Sequence, residues 1–191
     1  MIVWKLCFNL QPQDQAQWDE LAECVLGPGV HAGRKLGFQL SREALRTCLS
    51  EIGVQREIPN LLLEGFDRLK EENNLTLSLS HSSSTGAAAV AHRRDYRALG
   101  IDIELDQRPV KSDIIRRISH PEDLLQEDIV RWTLKEAIFK ACMNTHNFNA
   151  PFEFSSIQIL DHRWQQSSGL SGEWQVQKIE GHIVALAWIK I

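Results

Sequence analysis

The sequence lacks any apolar run of the roughly 18 residues that a membrane-spanning helix needs. It also lacks an excess of positive charge, because 21 Lys and Arg residues are outnumbered by 25 Asp and Glu residues, which gives a formal net charge of −4. A general nucleic-acid-binding protein is normally basic. We therefore expect neither a membrane nor a nucleic acid among the partners of this protein.

Paired cysteines are missing as well. The four cysteines form no C-x-x-C pair and no zinc-type spacing with histidine: Cys7, Cys24, Cys48 and Cys142. Residues 1–10 are apolar, but they include Lys5 and lack the small-residue cleavage site of a signal peptide. We expect these ten residues to form an opening strand, and the cysteines to be buried free thiols of a cytoplasmic protein.

What is present is the composition of a globular protein. The chain has 191 residues, of which 43% are hydrophobic and 24% charged, enough for one domain or two small lobes. There is no internal repeat of fixed short period. The loosest stretches, residues 12–17, 144–151 and 165–172, are predicted loops.

Helical periodicity predicts three helices. Residues 31–52 place apolar side chains at steps of three and four, with Arg34, Lys35, Arg42 and Arg46 on the opposite, solvent side. A second helix is predicted within residues 59–69. A third is predicted from Pro121 to Met143, and its buried stripe comprises Val130, Thr133, Leu134, Ala137, Ile138 and Ala141.

Alternating residues predict strands joined by short turns. Residues 75–80 are predicted to form a half-buried strand, paired in a hairpin with residues 87–91. Further strands are predicted at 98–104, 154–160, 174–179 and 182–189, the last two joined by the turn Glu180-Gly181. Short turns favour antiparallel pairing, so the fold class is predicted to be α+β, with one long helix near a short sheet in each half.

Two carboxylates stand out in the segment Gly100–Glu104. Because a strand has a side-chain period of two, Asp102 and Glu104 lie on one face, and Gly100 on that face leaves room for a ligand. Adjacent carboxylates repel each other unless a cation neutralises them, and oxygen ligands favour Mg²⁺. The alternative is a strand face with two solvated acids.

Two further segments carry chemical groups. In Trp132–Lys140, Glu136 and Lys140 lie one helical turn apart, opposite the apolar stripe, and could supply a third carboxylate and a phosphate contact. The alternative is a surface ion pair worth about 0.2–0.5 kcal/mol. The segment Ser78–Ser82 is rich in hydroxyls and contains His81, so it could bind an anion or simply form a polar turn.

Together these segments resemble the signature of the 4′-phosphopantetheinyl transferases. The resemblance lies in Ser80-His81-Ser82, in Leu99–Glu104 and in Trp132–Ala141, in that order, with about 30 residues between the second and third. The helix that contains Arg34 and Arg42 also resembles the N-terminal helix of that family. The resemblance covers roughly residues 30–160.

The resemblance implies an activity and an architecture. Enzymes of this family move the phosphopantetheine arm of coenzyme A to a serine of an apo acyl or peptidyl carrier protein and release adenosine 3′,5′-bisphosphate. The length is similar to that of the long, Sfp-like and EntD-like members, which are monomers with two duplicated lobes related by a pseudo-twofold axis. This implies an N-terminal lobe at 1–97, a C-terminal lobe at 98–191 and an active site in the cleft between them.

The resemblance also implies roles for individual residues. Asp102, Glu104 and Glu136 would hold Mg²⁺, and Glu136 is the candidate general base, directly or through a water. Cationic contacts to coenzyme A phosphates would come from Lys140, a candidate catalytic residue, and from Lys135. Further coenzyme contacts are implied for Ser80, His81, Arg34, Lys35 and Arg42.

One departure from the family pattern leaves alternatives open. Many long members carry a Gly-Lys-Pro loop before the Ser-His motif, and residues 61–70 contain no such tripeptide. One alternative is therefore a catalytically impaired module that binds coenzyme A or the carrier. Another is a different Mg²⁺-dependent nucleotide phosphotransferase. Between motifs, the apolar residues that could dock the carrier or pack inward are Ile114, Ile115, Ile118, Leu124 and Leu125.

Overall fold

The structure, a computed structural model, describes residues 1–57, 69–125, 127–145 and 152–191. It divides into two compact units, Met1–Arg93 and Arg94–Ile191. Each unit contains an antiparallel sheet, of three strands in the first and five in the second, with a long helix packed on it. The predicted α+β class is thus confirmed. Within the described ranges, no helix is long and apolar enough to cross a bilayer.

The first unit packs one long helix on its sheet, and a second helix lies against the first. Its strands are β1 (Ile2–Cys7), β2 (Leu75–His81) and β3 (Gly86–His92), in the spatial order β1-β3-β2. Its helices are α1 (Gln15–Leu26) and α2 (Ala32–Glu51), and a short 3₁₀ helix spans Pro12–Asp14. The opening strand, the helix at 31–52 and the β2–β3 hairpin are confirmed. Helix α1 was not predicted and begins inside the predicted loop 12–17. The predicted helix at 59–69 lies outside the described residues, except for its last residue.

The second unit builds a five-stranded sheet beside one long helix. Strand β4 (Tyr96–Leu105) is followed by α3 (Ser112–Ile118) and α4 (Asp128–Met143). The remaining strands are β5 (Ile157–Ile159), β6 (Arg163–Gln166), β7 (Ser171–Ile179) and β8 (His182–Lys190), in the order β4-β8-β7-β6-β5. The β7–β8 turn is confirmed, since Glu180 and Gly181 both have positive φ, 48° and 74°.

The largest error of the sequence prediction in this unit is the start of α4. The helix begins at Asp128 and not at Pro121. In the preceding segment, the Asp123 carboxylate accepts hydrogen bonds from the backbone N–H groups of His120 and Ile159, each at 2.9 Å. Such side-chain contacts compete with helical hydrogen bonding. The prediction also missed α3, placed β6 partly in a loop, and began β5 three residues early, where a 3₁₀ helix spans Phe154–Ser156.

Alternation along β2 was interpreted wrongly as one core face and one solvent face. Ser78 and Ser80 are only 6% and 8% exposed, so both faces of β2 are covered. The alternation therefore separates two buried faces of different polarity.

The cysteine prediction also needs one correction: Cys7, Cys48 and Cys142 are buried free thiols, but Cys24 is exposed on α1.

Candidate functional site

Strand β4 and helix α4 come into very close contact at Gly100. A Cβ atom on Gly100 would lie 1.9 Å from the Ala137 carbonyl oxygen and 2.7 Å from the Ala141 amide nitrogen. The missing side chain therefore admits the helix backbone, and the expectation that it leaves room for a ligand is wrong. Because Asp102 lies on the same strand face as Gly100, the close packing brings it to α4.

Asp102 pairs with Lys140 across this contact. The Lys140 ammonium donates to Asp102 Oδ1 at 2.7 Å and to the Ile101 carbonyl oxygen at 3.1 Å. Asp102 is only 6% exposed, so the first predicted carboxylate is not a solvated surface acid. The sequence spacing could not establish that this strand and this helix meet.

Glu104 is held from two sides. The Trp132 indole N–H donates to Glu104 Oε1 at 3.2 Å, and the Arg108 guanidinium forms an ion pair with the same oxygen. Trp132 is fixed in turn by stacking near Phe154, with ring centroids 6.3 Å apart. These contacts orient Glu104 toward the helix that also carries Glu136.

The pKa of Glu136 is shifted strongly upward. Burial raises its pKa to about 7, and the negative charges of Asp102 and Glu104 act in the same direction, against the opposing charges of Lys140 and Arg108. The three carboxylates therefore interact electrostatically, and added positive charge would favour the ionised form of Glu136.

The chemistry of this donor set fits a hard divalent cation. Three carboxylates supply oxygen ligands, and the negative charges of Asp102 and Glu104 add to the effect of burial in raising the pKa of Glu136. As positioned in the described part of the chain, however, no three His, Cys, Asp or Glu side chains converge closely enough to form a metal-binding group.

Lys135 does not belong to this arrangement. Its side chain is fully buried and forms an ion pair with Asp123 at 2.8 Å. Its ammonium also donates to the carbonyl oxygens of Ile118 and Ile157, at 2.5 and 2.9 Å. Three short contacts use its three hydrogens, so the expected contact with coenzyme phosphates does not fit.

In the first unit, the Ser-His segment ends β2. His81 is exposed at the strand end, and its ring lies against Gly37 of α2, where a Cβ atom would come within 2.5 Å of Nδ1. Ser80 is buried, and so is the neighbouring Ser82, whose backbone N–H donates to the Thr85 carbonyl oxygen at 2.9 Å. The hydroxyl-rich turn is thus a compact polar segment.

The three basic residues of α2 that the resemblance implies as coenzyme contacts lie in different environments. Arg34 is exposed. The Lys35 ammonium pairs with Asp19 of α1 at 2.8 Å, which raises its pKa. Arg42, predicted on the solvent side, is only 5% exposed and lies 3.5 Å over the Phe38 ring, and burial lowers its pKa to about 10. Helical spacing could not reveal these environments.

Sequence patterns gave no role to three residues that the structure engages: Trp132 and Arg108 contact Glu104, and Asp123 contacts Lys135. Trp132 lies in the third motif, but its type and spacing alone indicate no contact with Glu104. Arg108 follows Glu104 by four residues. That spacing indicates a contact within a helix, but it predicts none after the end of a strand. Asp123 lies inside the helix predicted from Pro121, and nothing in the pattern showed that its side chain would be buried beside Lys135.

The apolar residues between the second and third motifs were considered either for docking the carrier or for packing inward, and they differ in burial. Ile118 is buried and Leu124 is 60% exposed. Ile114, Ile115 and Leu125 are half-buried, and Leu125 packs against the core. Neither uniform inward packing nor a continuous exposed patch describes them.

One comparison with known families found a match. Residues 98–187 match the family model described as the 4′-phosphopantetheinyl transferase superfamily. The matched stretch includes Asp102, Glu104, Glu136 and Lys140 but not the Ser-His segment or α2. A comparison with curated proteins found no match. Residues 98–187 therefore form a domain of the 4′-phosphopantetheinyl transferase superfamily, and the presence of this domain supports a transferase activity.

Proposed function

We propose that the protein is a Mg²⁺-dependent holo-acyl-carrier-protein synthase type of enzyme. It transfers 4′-phosphopantetheine from coenzyme A to a serine of an apo acyl or peptidyl carrier protein and releases adenosine 3′,5′-bisphosphate. The observation that carries the proposal is the assembly of Asp102, Glu104, Glu136 and Lys140 where β4 packs on α4, inside the matched domain. We also propose the long, monomeric, cytoplasmic type, on the basis of length and composition.

The proposed reaction is a phosphoryl-type displacement. The serine oxygen forms a bond to the β-phosphorus of the coenzyme A pyrophosphate, and the bond from that phosphorus to the bridging oxygen breaks. The serine proton goes to a base, and adenosine 3′,5′-bisphosphate leaves. Because the reacting oxygens already carry negative charge, electrostatic stabilisation and positioning dominate the catalysis of such a step.

Asp102, Glu104 and Glu136 would hold the metal ion. When bound, Mg²⁺ would neutralise charge on the pyrophosphate oxygens. The three side chains come from β4 and α4, whose backbones pack closely together at Gly100. The ion pairs of Asp102 with Lys140 and of Glu104 with Arg108 keep these acids compatible with a partly buried site.

Glu136 is the proposed base. A pKa of about 7 is close to the operating pH, where a general base combines an available ionised form with useful basicity. Glu136 would accept the serine proton directly or through a water. Lys140, whose side chain is about a quarter exposed, would turn toward phosphate oxygens while it remains near Asp102.

The first unit would contribute contacts to the coenzyme. Exposed His81 and Arg34 are the candidates with accessible side chains. Ser80, Lys35 and Arg42 remain candidates from the resemblance, although Lys35 is engaged by α1 and Arg42 is buried. Of residues 61–70, where the Gly-Lys-Pro tripeptide is missing, only 69 and 70 are described.

The test is to incubate the protein with purified apo carrier proteins of the fatty-acid, polyketide and peptide types, coenzyme A and Mg²⁺. Intact mass should show one added phosphopantetheine on at least one carrier, and EDTA should abolish the addition. Glu136→Gln is the matched negative variant. A folded protein that binds coenzyme A by calorimetry but modifies no carrier would contradict the proposal and favour a binding module. Turnover of nucleotides without a carrier would favour a different phosphotransferase.

A further inference from the structure

The strongest unused feature of the second unit is the buried pair Lys135–Asp123. Both side chains are almost inaccessible, at 0% and 2% exposed, and Lys135 Nζ lies 2.8 Å from Asp123 Oδ2. The site described above uses neither residue. A fully buried lysine is rare unless it is paired, so this pair calls for a role.

The pair connects three segments of the chain. Lys135 belongs to α4, and its ammonium donates to the Ile118 carbonyl oxygen at the end of α3 and to the Ile157 carbonyl oxygen at the start of β5. Asp123 accepts from the backbone N–H of Ile159 in β5 at 2.9 Å. One face of α4 is therefore fixed by directional bonds to segments on either side of it in the sequence.

This attachment constrains the rotation of α4 about its own axis. When only apolar side chains hold a helix on a sheet, small rotations and shifts of the helix cost little free energy, because hydrophobic contact is not directional. Glu136 directly follows Lys135, and successive helical side chains are about 100° apart. Fixing Lys135 therefore fixes the direction in which Glu136 points, and Lys140 one turn further on.

We infer that Lys135 and Asp123 are positioning residues, which orient Glu136 and Lys140 toward Asp102 of β4. The role rests on the proposed transfer, because it concerns the residues proposed to carry out that reaction. It differs from the phosphate contact expected for Lys135 from the sequence. It also differs from a purely stabilising role, since a buried ion pair is often no more stable than apolar residues of similar size.

The test variant is Lys135→Met combined with Asp123→Asn. It removes both charges together, so that neither is left buried alone, and the asparagine oxygen can still accept a backbone hydrogen bond. We expect a folded protein whose kcat for transfer falls roughly 100-fold, as for a misplacement of about 1 Å, with a change of less than about twofold in KM for the carrier. The control is Arg46→Met with Asp14→Asn, which removes a partly buried pair of the first unit (2.6 Å) and should leave kcat unchanged.

A second measurement separates positioning from general loss of stability. In a Glu136→Gln background, whose slow residual transfer is measured at high enzyme concentration, the double change at 123 and 135 should lower kcat much less than in the wild-type background, because the residue that it orients is already altered. Additive losses in this cycle would overturn the inference. So would an unchanged kcat in a folded Lys135→Met/Asp123→Asn variant.

A crystal structure of the same variant gives an answer that does not depend on activity. We expect the contact between Lys140 Nζ and Asp102 Oδ1, 2.7 Å in the wild type, to be lost. An unchanged α4 with this contact intact would overturn the positioning role. Displacement of α4, in a protein whose wild type modifies no carrier, would support the positioning role and contradict the proposed function alone.

Discussion

Lys140 Nζ lies 2.7 Å from Asp102 Oδ1, and this ion pair joins α4 to β4 just beyond their closest approach. It brings together one residue from each of two motifs that are separated by about 30 residues in the sequence. Even when no ligand is bound, this pair keeps the Lys140 ammonium beside the carboxylates. The same cation is the one we propose to contact the substrate phosphates.

Replacing Lys140 with methionine should therefore impair transfer strongly. Lys140→Met keeps an unbranched side chain one atom shorter but removes the charge, which leaves Asp102 without this ammonium beside Glu136. We expect kcat/KM for transfer to fall about 100-fold or more, with a loss of about 1–3 kcal/mol in the free energy of unfolding. Steady-state kinetics and urea unfolding measure the two effects.

The matched control is Lys178→Met. The Lys178 ammonium pairs with Glu127 at 2.9 Å, and both side chains are more than half exposed, so the same chemical change should cost less than about 1 kcal/mol and leave transfer unchanged. Transfer by Lys140→Met within twofold of the wild type would contradict the role of this lysine.

The raised pKa of Glu136 predicts a stability that depends on pH. Between its ordinary pKa of 4.5 and about 7 in the folded chain, the folded state keeps a proton that the unfolded state has lost. The free energy of unfolding from this group therefore falls as pH rises through that window. In metal-free buffer, Glu136→Gln should be more stable than the wild type by about 1–3 kcal/mol at pH 8, and the difference should shrink toward pH 5.

Thermal unfolding across pH 5 to 8 measures this difference, at roughly 2–4 °C per kcal/mol. The control is Glu127→Gln, because Glu127 is 61% exposed and its substitution should change the melting temperature by the same small amount at every pH. A Glu136→Gln variant no more stable than the wild type at pH 8 would contradict the burial of charge at this position.

Added Mg²⁺ should stabilise the folded protein if the three carboxylates hold it. A ligand that binds only the folded state stabilises it by about 2.7 kcal/mol at 100 times its dissociation constant. We expect the melting temperature at pH 8 to rise with Mg²⁺ and the rise to disappear in Asp102→Asn. Glu173→Gln removes a carboxylate that pairs with Lys190 at 2.8 Å elsewhere in the unit and should keep the full rise. Equal rises in both variants would exclude Asp102 as a ligand.

Much of the site could be predicted from the sequence, because it depends on side-chain periods within a single strand or helix. The period of two placed Asp102 and Glu104 on one face of a strand, and the structure confirms the strand. The period of 3.6 placed Ala137 and Ala141 in a buried stripe, and both are buried. Motif order added the superfamily, which the match to residues 98–187 confirms.

The errors concern contacts between distant segments. Arg42 and Lys35 lie on a helix whose exposure depends on residues far away in sequence, such as Asp19 of α1. Lys135 looked like its neighbour Lys140 in the sequence, yet Asp123 and two backbone carbonyls enclose it. Periodicity describes one element at a time, so it cannot show which charged side chain a second element will cover.

Gly100 provides the most direct test of the packing on which the site depends. A methyl group there would meet the Ala137 carbonyl oxygen at 1.9 Å and the Ala141 nitrogen at 2.7 Å, and backbone atoms in the middle of a helix cannot move aside cheaply. Gly100→Ala should therefore push α4 away from β4, at a cost of about 1–3 kcal/mol or more in stability.

Because the Lys140–Asp102 contact spans the same two elements, Gly100→Ala should also lower transfer, by roughly 100-fold for a displacement near 1 Å. Gly33→Ala is the control, since a Cβ atom there meets only the His31 ring, at 3.3 Å, and alanine favours a helix by up to about 1 kcal/mol. Urea unfolding measures the loss of stability in both variants, and steady-state kinetics measures the loss of transfer. A Gly100→Ala protein as stable and as active as Gly33→Ala would show that the close approach of β4 and α4 does not position the carboxylates.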